Sequence, residues 1–221
     1  MILEADNIEL SFNNQKILYG IYVKAEQGKV TGILGRNGCG KTSFLRILFG
    51  DLKPKYKNIR FDGIYQKRKL FLQNNTAYLP QHQLLPKNIK LKSVFYLFDL
   101  EPHDFINMFE SFKRHQNSKI YELSFGELKV LETYLILMLN KKIILLDEPF
   151  SFIAPLYIEK IKALIHLKKE ESIILITDHF YKDIMDVSDT VYLFKNGRSK
   201  EIRSKKDLER EGYLPFNPQQ K

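Results

Sequence analysis

The segment Gly35-Arg36-Asn37-Gly38-Cys39-Gly40-Lys41-Thr42 constrains this chain more than any other, because it matches G-x-x-x-x-G-K-[ST] in a strand–loop–helix setting. Val30 to Leu34 is a short apolar run rich in β-formers, and Thr42 to Phe49 has a helical pattern that Gly50 is placed to stop. The glycines let backbone N–H groups turn inward around an anion, and the following helix adds the partial positive charge of its N-terminus. Lys41 is long enough to reach terminal phosphates, and Thr42 offers a hydroxyl to Mg²⁺. The pattern implies a nucleotide-binding α/β fold.

The rest of the chain is consistent with that class. Ile2 to Phe12 and Ile17 to Ala25 alternate as a hairpin, and Asn58 to Gly63 and Thr76 to Leu79 read as further strands. Ile143 to Leu146 and Ile173 to Ile176 are continuous apolar runs, as parallel strands buried on both faces should be. Leu91 to Phe112 reads as mainly helical, with Phe105, Met108, Phe109 and Phe112 forming a stripe that predicts a small subdomain's own core. Ser124-Phe125-Gly126-Glu127 has the form of a capping box and opens a long helix through Leu139. Val191 to Lys195 and Ser199 to Arg203 make a hairpin about Asn196-Gly197; Ser204 to Glu211 is a short polar helix, and Pro215 onward a frayed tail.

Asp147 and Glu148 follow the run Ile143 to Leu146, at the strand end where ligands bind in open α/β sheets. Asp147 is placed to hold Mg²⁺ through its waters, and Glu148 to orient and deprotonate a water attacking the γ-phosphate.

Together these residues resemble the nucleotide-binding subunit of an ATP-binding-cassette (ABC) transporter, over roughly residues 1–203. Besides the phosphate loop and Asp147-Glu148, Leu123-Ser124-Phe125-Gly126-Glu127 resembles the family signature L-S-G-G-Q. Tyr78-Leu79-Pro80-Gln81 resembles its glutamine loop, Ile176-Thr177-Asp178-His179 its histidine switch, and Phe12 the aromatic that stacks on adenine. Read alone, Ser124 and Glu127 are a helix cap, His179 an exposed loop histidine, and Phe12 an edge hydrophobe.

The resemblance implies a recombinase-like P-loop NTPase core with a parallel sheet, an antiparallel β-subdomain and an inserted helical subdomain at about residues 82–123. It leaves 204–221 as a short C-terminal helix and tail. It also implies ATP on Phe12, the loop from Gly35 to Thr42, Ser43 and Gln81; Mg²⁺ on Thr42, Gln81 and Asp147; and catalysis by Glu148, His179 and Lys41. Two such subunits would close head to tail, with Ser124, Phe125, Gly126 and Glu127 meeting the partner's ATP, beside a separate membrane permease. The expected activity is ATP hydrolysis coupled to transport, at the cytoplasmic face of a membrane.

Three departures from the family pattern stand out. Phe125 replaces the usual first glycine of the signature; Ala154 stands where the family has an aspartate in the loop that communicates across the dimer; and Leu128-Lys129 follows the signature in place of the usual glutamine and basic cluster. The first two predict slower or less cooperative hydrolysis. Cys39 lies at a helix N-terminus, which predicts a favoured thiolate, against the plainer reading of a small residue in a tight loop.

Composition narrows the function classes. A single cysteine excludes an internal disulfide and suits a reducing cytosol. The start is acidic and unlike a secretory signal, and Leu128 to Leu146 is interrupted by Glu132, Asn140, Lys141 and Lys142, so no stretch is long enough to span a bilayer. The formal charge of +9 suggests an acidic partner. An ABC-type ATPase acting on nucleic acid or ribosomes is therefore an alternative, as is a low-turnover regulatory subunit. Nucleic acid is disfavoured because the chain has neither a second cassette nor long coiled-coil heptads. Lys53, Lys55, Lys57, Lys67, Arg68 and Lys69 read instead as a solvated face, with anionic lipid headgroups as a possible contact.

Overall fold

The computed structural model describes residues 1–13 and 15–215. The tail from Phe216 onward lies outside the described residues.

Two sheets organise the molecule. The first is antiparallel, with β1 (Ile2–Phe12), β2 (Gln15–Glu26), β4 (Tyr56–Phe61) and the two-residue β5 (Ile64–Tyr65) in the order β2-β1-β4-β5. The second has six strands in the order β10-β9-β3-β8-β7-β6. Here β3 (Val30–Gly35), β6 (Thr76–Leu79), β7 (Ile143–Asp147), β8 (Ile173–Thr177) and β9 (Thr190–Lys195) run parallel, and β10 (Arg198–Ile202) pairs antiparallel with β9. This is the parallel-core α/β fold with an added antiparallel sheet that the sequence predicts.

Period-two alternation divides the central strands between two cores. Ile33, Ile143, Leu145, Ile173 and Leu175 face helix α1 (Lys41–Phe49) and the antiparallel sheet. Leu34, Ile144, Leu146, Ile174 and Ile176 face the opposite side, with α4 (Phe125–Met138), α5 (Pro155–Lys168) and α6 (Tyr181–Val187). Being buried on both faces, β7 and β8 are apolar up to their C-terminal residues Asp147 and Thr177, and function gathers at those ends.

The segment expected to be mainly helical, Leu91 to Phe112, is helical in separate pieces. It consists of α2 (Leu91–Leu97), α3 (Pro102–Met108) and a 3₁₀ segment, Glu110–His115. Asp99 takes a left-handed φ of 54°, and Pro102 lacks the amide a continuing helix needs while holding Glu101 extended at φ −82°, ψ 121°. The aromatic stripe is not a separate core either. Phe105 lies 4.7 Å from Phe112 and 4.9 Å from Tyr134 of α4, and Phe109 lies 5.7 Å from Tyr157 of α5, measured between ring centroids. These rings are continuous with the core under the central sheet. The last helix, α7 (Lys205–Arg210), is capped by Ser204.

Candidate functional site

Four neighbouring strands of the central sheet, β3, β8, β7 and β6, deliver their C-terminal ends to one edge: β3 ends at Gly35, Asp178 and Glu148 directly follow β8 and β7, and Gln81 lies two residues past β6. The loop after β3 turns through Gly38 and Gly40 at φ 81° and 99°. At Gly40 the left-handed φ calls for glycine, and an added Cβ would also press on the Leu18 side chain at 2.5 Å. Lys41 is buried and its Nζ donates to the Gly35 carbonyl at 2.8 Å, closing the loop on itself.

Phe12, Asn37, Gly38, Gly40, Lys41, Thr42, Ser43, Gln81 and Glu148 line one cleft of about 320 Å³. Side chains of Arg36 and Cys39 lie on another side of the loop, in a cavity of about 410 Å³ closed by the C-terminal turn, where Arg36 donates to the Gly212 carbonyl at 3.1 Å. Cys39 departs from expectation: burial pushes its thiol up, outweighing the nearby Lys41 charge and the loop amides. The burial speaks against a favoured thiolate and supports the plainer reading of Cys39 as a small residue in a tight loop.

Asp147 is fully buried and accepts from Thr177 Oγ1 at 2.7 Å and Tyr78 OH at 3.2 Å. Burial raises its carboxyl above the usual range, opposed by hydrogen bonds from Thr177, Thr42 and Tyr78. Thr42 bonds its carboxyl, and Gln81 lines the same cleft as Thr42, so the side chains at this edge offer hydroxyl, carboxylate and amide oxygens. That all-oxygen set suits a hard divalent cation.

Glu148 takes φ 52°, an uncommon conformation for a residue with a side chain, held by its amide donating to the Thr177 carbonyl at 2.8 Å. Gln81 Nε2 donates to Glu148 Oε2 at 3.0 Å, and His179 Nδ1 stands 3.9 Å from the same oxygen. Asp178 fixes the histidine loop: its Oδ1 accepts from the amides of His179 and Phe180 at 2.7 and 3.1 Å, and its Oδ2 from the Phe150 amide. Burial raises this carboxyl too, against those amide bonds.

Ser124, Phe125, Gly126 and Glu127 stand outside this cleft. Ser124 and Glu127 form the expected reciprocal cap on α4, with Ser124 N and Oγ donating to Glu127 Oε2 at 2.8 and 2.7 Å. Glu127 Oε1 accepts from Arg114 at 2.8 Å and lies 3.1 Å from His115 Nε2. Phe125 meets Phe152 edge-to-face at 5.0 Å, and both rings are exposed, 50% and 77%. Gly126 is needed within the chain itself, since a Cβ there would come within 2.4 Å of the Phe152 carbonyl.

Several residues that build the site carry no motif of their own. Asp178 and Thr177 were visible only as neighbours of His179, and Tyr78 only as part of the loop motif. Lys129 and Glu132, whose helical spacing is that of core positions, are buried and bond the backbone of the glutamine loop.

The family model described as ABC transporter matches residues 18–151. The chain belongs to the ABC transporter family. It is 30% identical over 214 residues to the arabinose import ATP-binding protein AraG of Mannheimia succiniciproducens, covering 89% of this chain and 42% of that one. It therefore spans less than half the length of that relative. The lipopolysaccharide export system ATP-binding protein LptB of Haemophilus influenzae is 29% identical, with 89% of this chain and 88% of LptB covered. Among solved structures, an ATP-binding subunit of an ABC transporter superposes with a TM-score of 0.78 at 20% identity, over 97% of this chain and 94% of the other. An ATP-bound bacterial Atm1-family exporter gives 0.80 at 22% identity, over 95% and 40%.

Proposed function

We propose that this chain binds and hydrolyses Mg-ATP as the nucleotide-binding subunit of a transporter, in a head-to-tail pair of cassettes beside a separate membrane permease. The observation that carries this reading is the Glu148 carboxylate, set in the same cleft as Lys41 and Thr42 and hydrogen-bonded by Gln81. Bound Mg²⁺, held by Thr42, Gln81 and Asp147, would neutralise charge on the phosphate oxygens. Backbone amides from Asn37 to Ser43 cradle the phosphates, and Lys41 exchanges the Gly35 carbonyl for a phosphate oxygen. Phe12 stacks on the base. Glu148 accepts the proton of the attacking water, Gln81 orients that water, and His179, held by Asp178, stabilises charge on the γ-phosphate.

Ser124 and Gly126 would present the exposed cap of α4 to nucleotide on the other cassette. Among the described residues no helix is long and apolar enough to cross a membrane. Of the aromatic run on α2, Phe95 is core, whereas Tyr96 and Leu97 are exposed and offer it a contact together with Leu84 of the glutamine loop. The relatives are named for import and for export, so the reading stays at nucleotide-driven transport.

Phe125 and Ala154 favour a second reading, a regulatory subunit with little turnover. One experiment separates the two. Glu148→Gln is expected to lower steady-state Mg-ATPase by about 100-fold or more while ATP still binds, on the scale of losing a general base. Lys41→Ala should abolish ATP binding. A parent chain that binds ATP without turnover above the Glu148→Gln level establishes the regulatory reading.

A further inference from the structure

Two buried charges on α4 have no part in the chemistry above. Lys129 is 3% exposed and Glu132 1% exposed, one helical turn apart. Burying an ionised group costs its hydration, so the partners of these two matter. Those partners are all backbone groups of one irregular segment. Lys129 Nζ donates to the Pro80 and Gln81 carbonyls, both at 3.2 Å. Glu132 Oε1 accepts from the Leu84 and Leu85 amides at 2.8 and 2.9 Å.

The pair thus grips the glutamine loop on both sides of His82-Gln83, by its carbonyls on one side and its amides on the other. The gripped residue Gln81 ends on Glu148 Oε2. Just N-terminal to the pair, α4 begins with the Ser124–Glu127 cap. A helix that holds the loop by charge-assisted bonds carries that loop with it when its N-terminus shifts.

We propose that Lys129 and Glu132 are positioning residues that tie the Gln81 carboxamide to α4, so that nucleotide of a second cassette meeting Ser124 sets the Gln81–Glu148 contact in this one. The inference rests on the head-to-tail reading above. It also supplies a route between the two nucleotide sites in a chain that has Ala154 in place of the family's aspartate.

The test combines turnover with amide exchange, in the full chain. Lys129→Met is expected to lower kcat by about tenfold or more, the scale of losing charge-assisted hydrogen bonds, with ATP affinity unchanged within about twofold. Glu132→Ala should speed exchange of the Leu84 and Leu85 amides by about tenfold or more, while Glu132→Gln, which keeps an oxygen acceptor, should hold them near the parent rate. With Mg-ATP in a Glu148→Gln background, those two amides should exchange more slowly, and adding Ser124→Ala should remove that slowing.

Full turnover in Lys129→Met, unchanged exchange in Glu132→Ala, or Glu132→Gln as damaging as Glu132→Ala overturns the inference and leaves the ATPase reading standing. Nucleotide-induced slowing that persists in Ser124→Ala overturns the link to the second cassette. A parent chain without Mg-ATPase overturns the proposed function instead, and the exchange of Leu84 and Leu85, which needs no turnover, still decides whether the clamp exists.

Discussion

Glu127 shows how one residue can complete a helix cap and carry a pH dependence. Partial burial works against its charge, yet Arg114, the Ser124 hydroxyl and amide, and His115 hold its carboxyl down from 4.5 to about 2. Because the folded value lies below the unfolded one, this group contributes stability that is full above about pH 4.5 and is lost as pH falls toward about 2. Chemical denaturation between those limits should therefore give a steeper loss for the parent than for Glu127→Gln. Equal slopes would assign the acid sensitivity to other carboxylates. Residues such as Lys41, Thr42, Asp147 and Glu148 were legible in the sequence because their chemistry depends on short spacing after a strand. Lys129 and Glu132 were not, since they bond backbone some 48 residues upstream, and no local pattern distinguishes a buried charge from an exposed one on a helix.

At the scale of elements, boundaries set by caps, glycines and prolines were readable, and interruptions inside an apolar pattern were not. Helix α4 begins where its capping box predicts, whereas residues 91–112 break at Asp99 and Pro102 despite a helical stripe. The stripe recorded which residues face the core without recording that several short pieces present them. Helix α5 starts from Ala154 at φ −65°, ψ 142°, with no side-chain cap, and Pro155 as its first residue. An aspartate at that position, as the family has, would offer an acceptor to the Leu156 amide; Pro155 has no N–H, and Tyr157 already donates to the Ala154 carbonyl at 2.8 Å. Ala154→Asp is expected to stabilise the chain by about 1 kcal/mol in urea unfolding. If the same change also raises the Hill coefficient for ATP, the loop's communicating role is restored with it; a change in stability without one confines the residue to capping.

For the whole molecule, the division of β3, β7 and β8 between two cores follows from alternation along continuous apolar strands, and this made the α/β class readable. The order of those strands was not readable, because it rests on pairings between runs apart in the chain that no local pattern encodes: β3 pairs with β8, Val30 opposite Ile174, and β8 with β7, Ile173 opposite Ile143. The helical segment is joined to the central sheet through Phe105, Phe109 and Tyr134, so it lacks a core of its own. Calorimetry should accordingly give one cooperative unfolding transition, and Tyr134→Ala should lower the whole transition by about 3–5 kcal/mol. Two resolved transitions, with only one moved by Tyr134→Ala, would restore a separate subdomain core.

The contact between Gly126 and the Phe152 carbonyl has a consequence for variation in sequence. A methyl group at 126 has no room unless the loop at 152 moves, and that loop already holds Phe152 at φ 66°. Substitutions at the two positions are therefore expected to arrive as pairs. A cassette chosen to match this one would inherit both or neither, so the start of α4 and the loop before α5 act as a single heritable surface.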